Sequence, residues 1–369
     1  MRVNNLLPIY FSKNLFKNLI FCLFAAGFFI FIIDLIELSR RITKTNDSDL
    51  LLAIELAILK LPGMILEILP FIILFASLST FFYFAKRSEL IVARASGISI
   101  WHLLIPGVSL ILIIGFLTTI LIQPLVAIST YKFKELEAKS IRGQTSLITI
   151  TENGLWLKDT DLDNNSYRII NSLGFDRNEN YLENVIFFNH SESGQLISRY
   201  DADKVFLKTN YWKLENIWIY KNFEKVEFLE NKEISTNLTA EQIQENFAPP
   251  ETISFWNLPE FIKIAQNAGF AATKHKTEFQ SLLALPFFLS SMLIIAAPFS
   301  DRFIRSESVN NLILAGVISG LILYTFSNVI YAFGASGNIG PILSAWSPPI
   351  LAILLGISAI IYKIGRAHV

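Results

Sequence analysis

Tyr211 to Tyr220 reads YWKLENIWIY, and its period is two. Trp212, Leu214, Trp218 and Tyr220 fall on one face, with Lys213, Glu215 and Ile217 on the other, the pattern of a half-buried β-strand. The same alternation recurs in KVEFLENKEI (residues 225–234), and shorter runs of the kind are GLWLKD (154–159), YRIINSLGF (167–175) and NVIFFN (184–189). Asn, Asp, Glu and Gly separate these runs, so residues 139–250 are expected to form an antiparallel all-β domain.

On both sides of that domain the chain changes character. Of 369 residues, 52% are hydrophobic and 17% charged, and the mean hydropathy of +0.47 suits membrane spans joined to an aqueous portion. A helix needs roughly 20 apolar residues to cross a hydrocarbon core about 30 Å thick. Six stretches qualify: residues 19–38, 56–84, 102–128, 279–299, 310–333 and 342–362. The expected fold is therefore α-helical and membrane-embedded, with six transmembrane helices arranged 3+3 around the β insert. Its parts are a first half over residues 1–138, the β domain over 139–250, and a connecting helix with the second half over 251–369. The first run is too long for a signal peptide and is followed by two more spans. The closing IGRAHV (364–369) looks like a translated sequencing adapter, and the natural sequence is expected to differ after about Lys363.

Basic residues in short loops orient such a chain. Lys13, Lys17, Lys86, Arg87, Arg94, Arg302, Arg305 and Lys363 all fall on one side, assigned to the cytoplasm with both termini. The β domain then lies in the periplasm. Arg40, Arg41 and Lys44 break the rule by falling outside.

Several functions have no footing in the residues. The formal net charge of zero gives no electrostatic reason to expect nucleic acid. There is no P-loop, and the glycine-rich GASGNIG (334–340) connects two spans without following a strand. The four histidines are scattered and the single Cys22 lies in an apolar run, so no metal site and no catalytic constellation is expected. Asp34 and Glu37 near the end of the first span and Glu67 within the second keep an ion-coupled carrier open, since charge inside a span is costly.

The stretch between the second and third spans, AKRSELIVARASGISIWHLL (85–104), carries more than a loop requires. Ser88 can cap a short helix whose Ile91, Val92, Ala95 and Ile98 share a face. Such a helix either packs on its own spans or docks into a groove on a soluble partner, with Glu89 meeting a basic residue there. A chain without a nucleotide site can receive work from an ATPase in this way.

RSELIVARASGIS (87–99) resembles the cytoplasmic coupling segment of the lipopolysaccharide export permeases, the YjgP/YjgQ family. The resemblance extends to GLWLKD (154–159), NLTAEQI (237–243) and IGPILSAWSPPIL (339–351), and covers essentially the whole chain. Of the family's two paralogous types, the chain is more similar to LptG than to LptF.

The resemblance implies a non-catalytic permease subunit of an ABC transporter in the bacterial inner membrane, paired with an LptF-like paralogue above an LptB-like ATPase dimer. ATP and Mg would be bound by that partner, with no cofactor in this chain. The β domain would be a jelly roll joining LptC and LptA in a periplasmic bridge, and lipopolysaccharide would be extracted from the membrane and passed along it. Residues 86–98 would be the coupling helix, with Arg87, Ser88, Glu89, Arg94 and Gly97 at the ATPase and Glu89 as the main contact. Phe28, Phe31 and Tyr324 would stand at lateral gates. Arg40, Arg41 and Lys44 would meet lipid A phosphates, or else anchor the span or pair with Asp47 and Asp49. Trp212, Leu214 and Trp218 would line an apolar path. Asp34 stands where family members can carry a basic residue, which hints at an altered lipid A.

Overall fold

The computed structural model describes residues 6–43, 50–89, 92, 99–138, 140, 148–151, 154–161, 166–176, 181–191, 195–208, 211–221, 224–236, 249–267, 272–300 and 309–366. They form two compact units. One holds residues 1–136, 254–256 and 273–369; the other holds 137–253 and 257–272.

The first unit contains six helices long and apolar enough to cross a membrane. They are α1 (Leu6–Thr43), α2 (Leu50–Lys86), α3 (Trp101–Glu137), α5 (Thr273–Ser300), α6 (Val309–Ala335) and α7 (Pro341–Arg366). Several extend well past the apolar runs that mark them, because their polar ends continue the helix beyond hydrocarbon. The core is built around α2 and α5, where Phe11, Leu15, Ile73, Leu74, Phe81, Met292 and Leu293 are buried.

Apolar burial drives little helix association in lipid, so close packing and satisfied polar groups carry more of the work. The motif Gly316-Val-Ile-Ser-Gly320 gives α6 a smooth face. A Cβ on Gly320 would stand 2.2 Å from a Leu74 methyl of α2, and one on Gly316 would stand 2.9 Å from Leu78. On α3, Gly115 lies against the Pro286 ring of α5, where a Cβ would meet Pro286 Cα at 2.6 Å.

That proline also frees a carbonyl. Pro286 has no N–H to offer Leu282 one turn earlier, and lipid supplies no donor. The Thr119 hydroxyl donates to the Leu282 oxygen at 3.1 Å instead. Thr119 belongs to a π-helical turn, Thr118–Ile122, that interrupts α3. The wider turn has its own loose carbonyl at Ile120, which accepts from the Trp256 indole at 3.1 Å. The Gln123 side chain accepts the backbone N–H of Phe255 at 2.6 Å.

The second unit contains one antiparallel sheet of seven described strands, β1 (Ile148–Thr151), β2 (Gly154–Asp161), β3 (Ser166–Asp176), β4 (Tyr181–His190), β5 (Leu196–Lys208), β6 (Tyr211–Lys221) and β7 (Glu224–Ser235). The strands pair in sequence order. The inserted all-β domain is present, but its topology is an up-and-down meander; Greek-key crossovers of a jelly roll do not occur among the described strands.

Two layers arise instead because the meander folds across itself. Pairing skips one row, between Val185↔Ala202 and Glu183↔Lys204 and again between Ala202↔Ile217 and Lys204↔Glu215. Asn184 and Asn216 in that row have φ of 50° and 55°, a left-handed conformation that Asn tolerates better than most residues. Each step through the row reverses which parity points inward. Leu182, Val205 and Leu214 are therefore buried on one side of the row, and Val185, Phe187, Ile217 and Ile219 on the other.

This corrects the reading of β6. Trp212 and Leu214 are fully buried as expected, but Ile217 is also fully buried while Trp218 is 38% exposed. Strict alternation fails at Asn216. Outside, Trp218 packs on Phe228 with ring centroids 4.7 Å apart.

Contacts between strands distant in the sheet order hold the fold closed. The Trp212 indole of β6 donates to Asp159 of β2 at 3.2 Å and meets Phe187 of β4 edge-on at 6.3 Å. Arg168 of β3 donates to the Ser235 carbonyl of β7 at 2.9 Å, and its guanidinium lies 3.6 Å from Asp159. The short helix α4 (Leu258–Asn267) was expected with the second membrane half. It belongs to the β unit instead, because Phe261 packs against the sheet's core and Leu258, Ile262 and Ala265 are buried along one face.

Two measurements test these connections. Thr119→Val keeps the shape but leaves the Leu282 carbonyl without a donor; about 1–2 kcal/mol of stability is lost in detergent unfolding, and Thr119→Ser recovers most of it. Asp159→Ala removes the carboxylate beside buried Arg168; the β unit loses about 3–5 kcal/mol, read by tryptophan fluorescence during denaturant unfolding of the full chain.

Candidate functional site

The residues of interest lie at the two ends of α2. At its carboxyl end the helix stops at Lys86, and the Arg87 and Ser88 N–H groups close the last turn on Tyr83 and Ala85 oxygens at 3.3 and 3.0 Å. Ser88 then takes φ 57°, uncommon for a residue with a Cβ. Its carbonyl accepts the Val92 N–H at 3.0 Å, so a new helical turn begins where the old one ends. Ser88 is thus both stop and start through its backbone groups.

Glu89 sits in the first turn of the restart, where a negative charge is favoured by the unsatisfied N–H groups. Its Oε1 lies 3.8 Å from the Arg87 guanidinium, too long for a direct hydrogen bond. Its Oε2 is enclosed with no hydrogen-bond partner among the described residues. Arg87 stacks over Tyr83 at 4.5 Å, and the Tyr83 hydroxyl is 3.4 Å from that of Tyr10 on α1. The stacking anchors Arg87 and places Glu89 beside it. Arg94 and Gly97 lie outside the described residues.

At the opposite end of α2 the helix runs beside the end of α1. Asp34, Leu38 and Ile42 are one turn apart and form the buried stripe of α1 there. Glu37, Arg40 and Arg41 face away from it. Both arginines donate to Glu37, at 2.7 and 2.8 Å, as i,i+3 and i,i+4 spacing on a helix allows. Their expected alternative partners were Asp47 and Asp49, which lie outside the described residues together with Lys44.

Asp34 is 5% exposed and paired with Lys60 of α2. The Lys60 ammonium also lies 5.8 Å from the Phe133 ring centroid. Asp34 Oδ2 has no hydrogen-bond partner among the described residues. Lys60 was not among the sequence candidates. Asp34 and Lys60 each interrupt an apolar run, but no local feature of the sequence pairs the two.

The predicted gate residues divide between two neighbours of α2. Phe28 is 61% exposed on α1 and meets Phe29 at 6.1 Å, while Phe31 is partly buried. Tyr324 of α6 packs on Phe71 of α2 at 4.7 Å, and its hydroxyl lies 3.4 Å from Glu67. Glu67, which lies inside an apolar helix, therefore has a neighbouring helix to answer it. Of the proposed substrate contacts, Arg40 and Arg41 are together and Tyr324 is elsewhere, beside a carboxylate that gives its surroundings negative charge. No group of three or more His, Cys, Asp or Glu able to hold a metal occurs among the described residues.

Chemically, one end of α2 presents a fixed acidic turn suited to a basic groove. The other presents paired charges suited to a polar headgroup, flanked by exposed aromatic and aliphatic side chains of α1.

The chain is similar to known proteins along nearly its whole length. The family described as "Lipopolysaccharide export system permease LptF/LptG" matches residues 9–362. The lipopolysaccharide export system permease protein LptG of Escherichia coli (strain K12) is 21% identical over 374 residues, covering 98% of this chain and all of that protein. LptG of Haemophilus influenzae (strain Rd) is 21% identical over 360 residues, covering 95% and 97% of the two chains. With six helices fit to cross a membrane, an inserted antiparallel sheet and a match along nearly its whole length, this chain belongs to the LptF/LptG family of lipopolysaccharide export permeases.

Proposed function

We propose that this chain is the LptG-type subunit of an ATP-driven exporter that extracts lipopolysaccharide from the inner membrane and passes it to a periplasmic protein bridge. In this reading the Lys86 end of α2 faces the cytoplasm, with both termini, and the β unit lies in the periplasm. The partners are an LptF-like paralogue, an LptB-like ATPase dimer that binds ATP and Mg, and LptC and LptA. The chain itself needs no cofactor and does no chemistry. The observation that carries the reading is the turn at Ser88, which restarts the chain with Glu89 in its first turn and one carboxylate oxygen unanswered among the described residues. The Glu89 side chain keeps an exposed part, which a basic side chain on the ATPase would meet.

The mechanism is leverage. Closure of the ATPase dimer moves the segment after Ser88, and α2 carries the displacement toward its other end. Its 37 residues, with Pro62 and Pro70 among them, make a helix about 55 Å long. Narrowing the space shared with the paralogue then expels lipid. LptG is favoured over LptF because both relatives named above are LptG proteins. An ion-coupled carrier is the contrasting reading, and the Asp34–Lys60 pair and Glu67 give it its only footing.

Replacing Glu89 with Lys puts like charges together at the docking surface, at a cost of about 2–5 kcal/mol or at least ~30-fold in affinity. Native mass spectrometry of the chain co-expressed with its paralogue and ATPase is expected to give a one-to-one-to-two complex for the wild type. The Glu89→Lys variant should remain folded, keep the paralogue and lose the ATPase. A wild-type homo-oligomer with no ATPase, transporting in response to an ion gradient, would favour the carrier.

A further inference from the structure

At the other end of α1, away from Asp34, α1 and α3 border a groove. The two helices touch at Gly107, where a Cβ would stand 2.9 Å from the Phe11 ring. Beside that contact they part and leave an open volume of about 580 Å³, within the range of small-molecule sites. Ile9 and Phe16 of α1 and Pro106 and Leu110 of α3 give it apolar walls, and Ser12 and Lys13 complete the lining. Ile9, Ser12, Lys13 and Phe16 share one face of α1 by their spacing, while Phe11 and Leu15 are buried.

The polar part of this groove suits an anion. Ser12 and Lys13 make no hydrogen bond or ion pair among the described residues, and neither does Lys17 one turn along. No acid precedes Asp34 in the chain, and α3 has none before Glu135. The two lysines therefore stand without a countercharge from either helix. Their depth is that of headgroups. Lys13 lies about 32 Å along α1 from Asp34 at 1.5 Å per residue, close to the thickness of a hydrocarbon core. At that level a lysine stem can lie on apolar surface while its ammonium reaches the headgroups.

A helix seated here, about 10 Å across with its side chains, would cover the Lys13 stem and its charge together. A phospholipid meets each part with the chemistry it lacks, an acyl chain for the walls and a phosphate for the donors. We propose that the α1–α3 groove holds one anionic glycerophospholipid from the leaflet on the Lys86 side of the membrane, its phosphate on Lys13 and Ser12. This lipid is a resident of the subunit and not its cargo, so the inference goes beyond the export reading.

The test is native mass spectrometry of the full chain with the subunits that copurify, given phosphatidylglycerol and phosphatidylcholine of equal chain length in competition. The wild type is expected to retain one phosphatidylglycerol with at least a tenfold preference. Lys13→Gln should lower the preference about fivefold, the share of one lysine at a membrane surface, and Lys13→Arg should keep it. Lys132→Gln, an exposed lysine at the other end of α3, should leave it unchanged. Leu110→Trp fills the groove and should remove the retained lipid; Ile9→Trp does the same from α1 and replaces it if Leu110→Trp does not fold. Equal retention of both lipids by the wild type, or equal effects of Lys13→Gln and Lys132→Gln, overturns the proposal. Lipid unchanged in the groove-filling variants overturns it too, and loss of a copurifying subunit in them would then assign the groove to a partner helix. No transport step is measured, so these outcomes leave the export reading where it stands.

Discussion

Inside a bilayer a polar group has no solvent to fall back on, and the membrane unit is arranged around that constraint. Pro286 has no N–H to give the Leu282 carbonyl; Thr119 answers it from a neighbouring helix. The π-turn that holds Thr119 exposes Ile120, and Trp256 answers that in turn. Asn18 donates to Thr80, and Ser129 to the Leu59 carbonyl. The Thr119, Asn18 and Ser129 bonds join helices that lipid alone would give little reason to associate, and the Trp256 bond ties the turn before α4 to α3. Small residues do the rest, with Gly115 seated on Pro286 and Gly320 on Leu74.

The β unit solves a different problem, that of burying a face without a second sheet. One meander cannot cover itself unless its inner face changes side partway along each strand. The row through Asn184 and Asn216 makes that change, and Trp212 reaches across the resulting layers to Phe187 and Asp159. The expected jelly roll and the observed folded meander thus agree in having two layers and differ in how the chain makes them.

What could be read beforehand follows from which signals are local. Six spans were legible because an apolar run of sufficient length has few other uses, and the strands because alternation is written residue by residue. The corner was not read, although Leu-Glu-Asn followed by an apolar residue stands at 182–185 and again at 214–217, each with its Asn in the left-handed row, whereas the third Leu-Glu-Asn, at 229–231, is followed by Lys232 and its Asn is not left-handed. Two apolar residues flanking two polar ones should have suggested a change of parity. At the site, Ser88 was singled out as a side-chain cap, whereas the bonds described there are those of its backbone, and Lys60 was passed over. Pairing is a long-range fact: nothing near Lys60 in the chain announces Asp34, and only the side-by-side course of α1 and α2 brings them together. Glu37 was visible in sequence, and helical spacing alone placed it within reach of both arginines.

The two ends of α2 carry opposite kinds of electrostatic arrangement, and that difference bears on how a displacement would be used. At Ser88 the chain is pinned. Arg87 is stacked on Tyr83, and the backbone reverses through a conformation that costs about 1–2 kcal/mol for a residue with a Cβ. A push delivered there meets a stiff joint and is passed on. At Lys60 the tie to α1 is a single ion pair whose base is partly open to its surroundings, so its strength depends on what else is present to compete for either charge. Between them α2 is clamped through Leu74 and Leu78 by the glycine face of α6, which leaves sliding or tilting as a body easier than bending at that level. Further along, α1 and α2 are held together by Asn18 on Thr80 and by the buried packing of Phe11 and Leu15, so weakening the Lys60 tie would loosen one end of the helix pair and leave the other in place.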